Sequence, residues 1–195
     1  MLPELWLVVS EVVRVLEDLD INYFIGGSVA SGRYGIPRLT RDVDFIADLS
    51  EEKIGAFVAA LQADFYVDDL AVRRAVRSQR SFNLIHFETA WKVDIFIQQK
   101  DSWANEKMQR RERKPLGEDT DAPQVYLCSA EDIILQKLRW FQKGGGLSDQ
   151  QWSDLLSVLK VQAERLDYTY LRHWATTLGL VELLAQALAD AGISV

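Results

Sequence analysis

The residues able to do chemistry crowd into one stretch, Ile25 to Ile46, reading "IGGSVASGRYGIPRLTRDVDFI". Tyr23-Phe24-Ile25 is a short apolar run that reads as a buried strand. Gly26-Gly27-Ser28 follows, then a small-residue helical turn from Val29 to Gly32. After a Gly/Pro loop, Asp42-Val43-Asp44-Phe45-Ile46 alternates acid with apolar residue. Side chains at i and i+2 of a strand share a face, roughly 6 to 7 Å apart, so Asp42 and Asp44 point the same way. Two such carboxylates repel each other, and Asp is a poor strand former. A hard divalent cation with oxygen ligands, Mg²⁺ above all, would resolve both conflicts. Gly26 and Gly27 let the backbone approach a ligand closely. The Ser28 hydroxyl and the amides opening the next helix make a corner suited to an anion. A phosphate corner a short loop ahead of a metal-binding acid pair is a layout for nucleoside triphosphate chemistry with Mg²⁺.

An apolar residue, Gly-Gly-Ser, about a dozen residues and then Asp-apolar-Asp-apolar together resemble the nucleotidyltransferase superfamily of the polymerase-beta type. Arg38-Leu39-Thr40-Arg41-Asp42-Val43-Asp44 is similar to the Arg-x-Thr-x-Asp-x-Asp form of AbiEii-like and antibiotic-modifying members. The resemblance implies a third carboxylate on a later strand, and "WKVDIFI" offers Asp94. It also implies a lysine facing the nucleotide from a helix after the sheet. Asp132-Ile133-Ile134-Leu135-Gln136-Lys137-Leu138 matches that pattern, although a lysine on the edge of an apolar stripe also snorkels to solvent readily. Asp154 stands where such relatives often carry an acid, but its helical angle sets it opposite Trp152, Leu155, Leu156 and Leu159. It is therefore expected at the surface.

The chemistry implied is transfer of a nucleoside monophosphate from NTP to an acceptor, with release of pyrophosphate. Asp42, Asp44 and Asp94 would be the catalytic acids and hold two Mg²⁺ ions, with Mn²⁺ as the alternative metal. Gly26, Gly27, Ser28, Arg38 and Lys137 would hold the nucleotide's phosphates. The acceptor would be tRNA or a protein, with the chain as toxin of a toxin–antitoxin pair and a cognate antitoxin as partner. The alternatives are a small-molecule, antibiotic-type nucleotidyltransferase and a catalytically silent binding or regulatory module of the same fold. Three clustered acids disfavour the silent module, which has no physical reason to keep them.

The elements that must position these residues are legible in the periodicity. Leu5, Val9, Val12, Leu16 and Leu19 recur at helical spacing from Pro3 to Leu19, with Glu11, Arg14, Glu17 and Asp18 on the other side. Ser50-Glu51-Glu52 reads as a capped start of a helix to about Leu61. A turn-rich stretch, Asp64 to Asp69, leads to a helix through Arg77. Phe82 to Phe87 and Trp91 to Ile97 flank a Glu88–Ala90 turn and predict a hairpin that brings Asp94 onto the acid face. His86 lies in that hairpin and reads as structural. Residues 100–114 read as a charged helix ending before Pro115, followed by an acidic loop at 118–121. The basic segments 73–80 and 107–114 are expected to be solvated faces, with a nucleic-acid rim as the sharper reading. Helices follow to about Gln142, from Ser148, from Tyr168 to Leu178 and from Val181 to Ala191. The expected fold class is α+β: residues 1–122 form a nucleotidyltransferase-type mixed sheet flanked by helices, and residues 123–195 a C-terminal helical bundle.

Composition narrows the setting. A hydrophobic share of 48% with six Trp and eight Phe is that of a globular chain rather than a disordered one. The single Cys128 excludes an intramolecular disulfide framework and suits a reducing cytoplasm. No signal peptide and no membrane-length apolar run are expected. A net charge of -7 argues against sequence-blind binding of nucleic acid over the whole surface.

Overall fold

A computed structural model describes residues 3–40, 42–117 and 122–194. Arg41 of the Arg-x-Thr-x-Asp motif and the acidic loop at 118–121 lie outside the described residues. The chain divides into two compact units, and no single cut in the sequence separates them. The described residues up to Gly26 and from Thr40 to Leu127 form the first; those from Gly27 to Leu39 and from Cys128 onward form the second.

The first unit is built on a seven-stranded mixed sheet. Its strands in chain order are β1 (Tyr23–Ile25), β2 (Asp42–Ala47), β3 (Phe65–Tyr66), β4 (Ser81–His86), β5 (Lys92–Ile97), β6 (Glu112–Pro115) and β7 (Gln124–Leu127). In space they run β3-β4-β5-β2-β1-β7-β6. The β2–β5 and β1–β7 pairs are parallel and the others antiparallel. Period-2 alternation sorts the faces. Val43, Phe45 and Ala47 of β2, Val93, Ile95 and Ile97 of β5 and Phe82, Leu84 and His86 of β4 are buried. Asp42, Asp44 and Asp94 project to the other side. In chain order the helices are α1 (Pro3–Asp18), α2 (Gly27–Tyr34), α3 (Ile54–Leu61), α4 (Asp69–Ser78), α5 (Ser102–Arg110), α6 (Ala130–Lys143), α7 (Asp149–Gln162), α8 (Tyr168–Leu178) and α9 (Val181–Ala191). In the first unit α1 packs on α3, α3 on α4 and α4 on β4. Phe57 of α3 meets Phe82 of β4 edge-on at 5.9 Å, which places these helices on the sheet's buried face.

Several local expectations need correction. The charged helix at 100–114 ends at Arg110, and Glu112–Pro115 is a strand paired with β7. The Arg111 guanidinium donates to the Met108 carbonyl and, at 3.0 Å, to Asn22 Oδ1, which ties down the end of α5. Strand β3 lies inside the stretch expected to be turn alone. Ser50 makes no side-chain cap, and a 3-10 turn at Glu51–Lys53 precedes α3. Glu11 is not a solvent-side residue of α1. Its Oε2 lies 3.4 Å from His86 Nε2, while His86 Nδ1 lies 2.8 Å from Thr89 Oγ1. With Phe65 edge-on at 5.0 Å, His86 has the structural role expected of it.

The second unit is helical. α2 packs on α6 and α7, α6 on α7 and α8, and α9 on α7 and α8. Each of three helices opens on a side chain that accepts an otherwise orphaned amide. Ser129 takes the Asp132 amide at 3.1 Å, Ser148 that of Gln151 at 3.4 Å and Asp167 that of Tyr170 at 2.9 Å. At Gly35, just past α2, a Cβ would lie 2.3 Å from Ser157 Oγ and 2.9 Å from the Ser157 carbonyl carbon. The chain leaving α2 therefore lies directly against α7. Among the described residues no helix is long and apolar enough to cross a membrane.

Candidate active site

In the first unit, the parallel register of β2 on β5 sets Asp44 beside Asp94 and Asp42 beside Lys92. Asp42 and Asp44 share a face because they are two apart, and Asp94 joins them because paired residues project together. The approach to β2 is fixed locally. The Gly26 amide donates to the Asp44 carbonyl at 2.8 Å, and a Cβ at position 26 would lie 3.2 Å from Ile46 Cδ1. Thr40 Oγ1 donates to Asp42 Oδ1 at 2.6 Å. Lys92 Nζ lies 2.7 Å from Asp94 Oδ2. That hydrogen bond, with the charges of Asp94, Asp42 and Asp44 behind it, holds the Lys92 ammonium above its ordinary pKa against its partial desolvation. Carboxylates on neighbouring strands are hard-oxygen donors of the kind a divalent ion takes. Among the described residues, however, no three His, Cys, Asp or Glu side chains converge closely enough to hold a metal. Asp42 is turned to Thr40 and Asp94 to Lys92.

The second unit holds Gly27, Ser28, Arg38 and Lys137. Gly27 opens α2 with φ +55°, in the left-handed region that glycine enters without strain. Arg38 Nη2 donates to Ser28 Oγ at 2.5 Å. The same guanidinium grips Asp154 with both arms, Nε to Oδ1 at 3.0 Å and Nη2 to Oδ2 at 3.2 Å. Lys137 Nζ reaches Asp154 Oδ2 at 2.8 Å and Gln151 Oε1 at 3.0 Å. One expectation is overturned here: Asp154 is not at the surface, being 8% exposed, and Lys137, only 3% exposed, does not take the snorkelling alternative. Burial alone would push the Asp154 carboxyl up, but hydrogen bonds from Arg38 and Lys137 outweigh it and hold the pKa below the ordinary value. The inward side of α7 is Leu155, Val158 and Leu159. Asp154 borders it, at i−4 from Val158, so reading the stripe through Trp152 and Leu156 turned the helix the wrong way. The signal that finds Asp154 is that shifted stripe together with two cations needing a counter-ion.

The basic segments are largely engaged in structure. Arg73 pairs with Asp69 at 2.7 Å and Arg77 with Glu51 at 3.3 Å. Arg111 and Arg113 lie over the Tyr126 ring at 4.7 and 5.9 Å, and Lys114 pairs with Glu112.

No family model and no curated protein matches the sequence. Solved structures do match. One is ANT(2")-Ia in complex with adenylyl-2"-tobramycin, at TM-score 0.59 and 13% identity, covering 90% of this chain and 97% of that one. An antigenic nucleotidyltransferase-like protein from Paracoccidioides brasiliensis matches at TM-score 0.56 and 22% identity, covering 98% and 94%. The lincosamide antibiotic adenylyltransferase LnuA, lincomycin-bound, matches at 0.51 and 14%, covering 83% and 98%. With the mixed sheet and its flanking helices, these likenesses show that the chain has the nucleotidyltransferase fold.

Proposed function

We propose that the chain is a nucleotidyltransferase moving a nucleoside monophosphate from NTP to a hydroxyl-bearing acceptor. The observation that carries this is the set of Asp42, Asp44 and Asp94 on one sheet face, all acting on the Lys92 ammonium. The fold of the solved neighbours supports it. The acceptor oxygen attacks the α-phosphorus, the bond from that phosphorus to the α,β-bridging oxygen breaks, and pyrophosphate leaves with the bonding electrons. Asp94 takes the acceptor's proton. Asp42, Asp44 and Asp94 would hold Mg²⁺, which when bound supplies neutralisation of the charge spread over attacking and leaving oxygens. Lys92, with a side chain 44% exposed, has room to swing to solvent and release Asp94. On this reading the backbone at Gly26 and Gly27, with Ser28, Arg38 and Lys137, takes the phosphates. Support comes from two cations held in place on Asp154, one of them bonded to Ser28. A reducing cytoplasm is the setting this reading assumes. Lincomycin and tobramycin, named with the neighbours, are the first acceptors to test.

Calorimetry tests the proposal directly. Mg²⁺ or Mn²⁺ should bind far more strongly with ATP present, because Mg²⁺ keeps its waters and shares phosphate ligands. Asp44→Asn should abolish that gain with the fold intact. Undiminished ATP-dependent metal binding in the variant would remove the acids from the site.

A further inference from the structure

The sheet face that carries the acids does not end at Asp94. It continues across β4 to the edge strand β3, entirely within the first unit. Asp44, Asp94 and Asn83 form one cross-strand row, and Asp42, Lys92, Ile85 and Tyr66 form the next. Directly paired residues project to the same side, so Asn83, Ile85 and Tyr66 stand on the carboxylates' side. Phe87, whose amide donates to the Asp64 carbonyl at 2.9 Å, extends the β3–β4 pairing by one more residue on that side. Their immediate neighbours Phe65, Leu84 and His86 face the buried side. Ile85 is 39% exposed, Tyr66 55% and Phe87 59%. Three large apolar side chains left open together are a binding surface rather than scattered exposure. With strands about 4.8 Å apart, the surface starts one strand from Asp94 and ends two strands away, roughly 10 Å. That span accommodates one or two rings.

The surroundings choose the ligand's charge. Tyr66 is flanked in the chain by Asp64 and by Asp68-Asp69, and Phe87 by Glu88. Arg73 is bonded to Asp69, Arg77 to Glu51 and Lys92 to Asp94, while Arg74 donates to the Leu70 carbonyl, so the acids left to form the rim are Asp64, Asp68 and Glu88. A polyanion would meet an acidic rim, whereas an amine is drawn to it. We propose that this open half-sheet is the acceptor platform, and that the acceptor is a small, hydroxylated, ring-containing amine. Its ring lies on Tyr66, Ile85 and Phe87, its amine faces the acidic rim, and its hydroxyl is presented to Asp94 with Asn83 alongside. The inference rests on the nucleotidyltransferase reading above.

The test uses the full chain, isotope-labelled, titrated with lincomycin, with tobramycin and with a single-stranded RNA oligonucleotide. Amide resonances are followed in the presence of Mg²⁺ and ATP. Tyr66, Asn83, Ile85 and Phe87 should shift with at least one amine. Tyr66→Ala, and separately Phe87→Ala, should weaken that binding by about 3- to 10-fold, the scale of one aromatic contact. Metal-dependent ATP binding should be unchanged in both variants, and the remaining resonances report that they are folded. If ATP binds with metal but neither amine shifts these amides, or only the RNA does, the acceptor platform is overturned while the reaction class stands. If ATP does not bind with metal at all, the nucleotidyltransferase reading falls, and the acceptor role falls with it.

Discussion

Asp154 is the residue on which the second unit's polar chemistry turns. Its burial is offset by pairing with Arg38 and Lys137, and Asp154 is the counter-ion of the buried Lys137 ammonium. Removing one partner of such a pair leaves a charge with neither water nor counter-ion. Asp154→Asn should therefore cost about 3–5 kcal/mol in urea unfolding. Adding Lys137→Met should restore part of that loss, with a coupling of roughly 0.5–3 kcal/mol in the double-mutant cycle. The pH dependence follows from the direction of the shift. The carboxyl's folded pKa lies below its ordinary 3.8, so its contribution is fully present above that value and is lost as pH falls through the lower folded one. Asp154→Asn should flatten stability against pH below about 4. Glu11 works in the opposite sense. Burial raises its pKa above 4.5, more than the nearby His86 lowers it. Its contribution is present below 4.5 and declines as pH rises through the folded value. Glu11→Gln should remove that decline, as urea midpoints taken between pH 4 and 7 will show. On the proposed reading, in which the Lys137 ammonium meets the nucleotide's phosphates, Lys137→Met should cost roughly 1.5–3 kcal/mol, or about 10- to 150-fold in kcat/KM.

Among the elements, α2 and its exits are the most constrained. Gly35→Ala would drive a methyl into the Ser157 backbone, and overpacking of this kind costs roughly 1–3 kcal/mol, measurable as a lower Tm. Gly27→Ala meets a different obstacle, a left-handed φ that costs a side chain about 1–2 kcal/mol. For that reason Gly27→Val would confuse backbone strain with loss of phosphate contact, and Ser28→Ala is the cleaner probe of the anion corner. Elements with long, regular patterns could be read from the sequence: the β4–β5 hairpin, the acid-bearing β2, and the helices α6 to α9. Those missed were short or charged. β3 has two residues, too few to show a period. β6 is Glu-Arg-Lys-Pro on a sheet edge, where solvent rather than burial selects side chains. β7 is four residues beside it. The same limit explains the site. Asp42 and Asp44 stood out as candidates because two acids alternating on a strand are anomalous, and Asp94 stood out only through the family resemblance. Asp154 did not, because hydrophobic periodicity carries no sign of a carboxylate buried by its counter-ions.

For the molecule as a whole, a net charge of -7 supplies a field that favours cationic ligands at a distance. Raising salt from 0.1 to 1 M shortens the screening length from about 10 Å to about 3 Å. If the proposed platform takes both amines, tobramycin binding should then weaken more than lincomycin binding, since tobramycin carries more amines. The division into units has a different consequence, for synthesis. The chain passes from one unit to the other after Gly26, after Leu39 and after Leu127. The partners of α2 in the second unit, α6 and α7, leave the ribosome roughly 100 residues after it, which at 5–20 residues per second is about 5–20 s. Throughout that interval Val29, Ala30 and Tyr34, buried in the finished fold, lack the α6 and α7 surfaces that α2 packs on in the second unit. A nascent chain stalled at Leu127 is therefore a half-built protein in which the buried positions of α2 still lack their α6 and α7 partners. A chaperone arriving during translation should find its first purchase there.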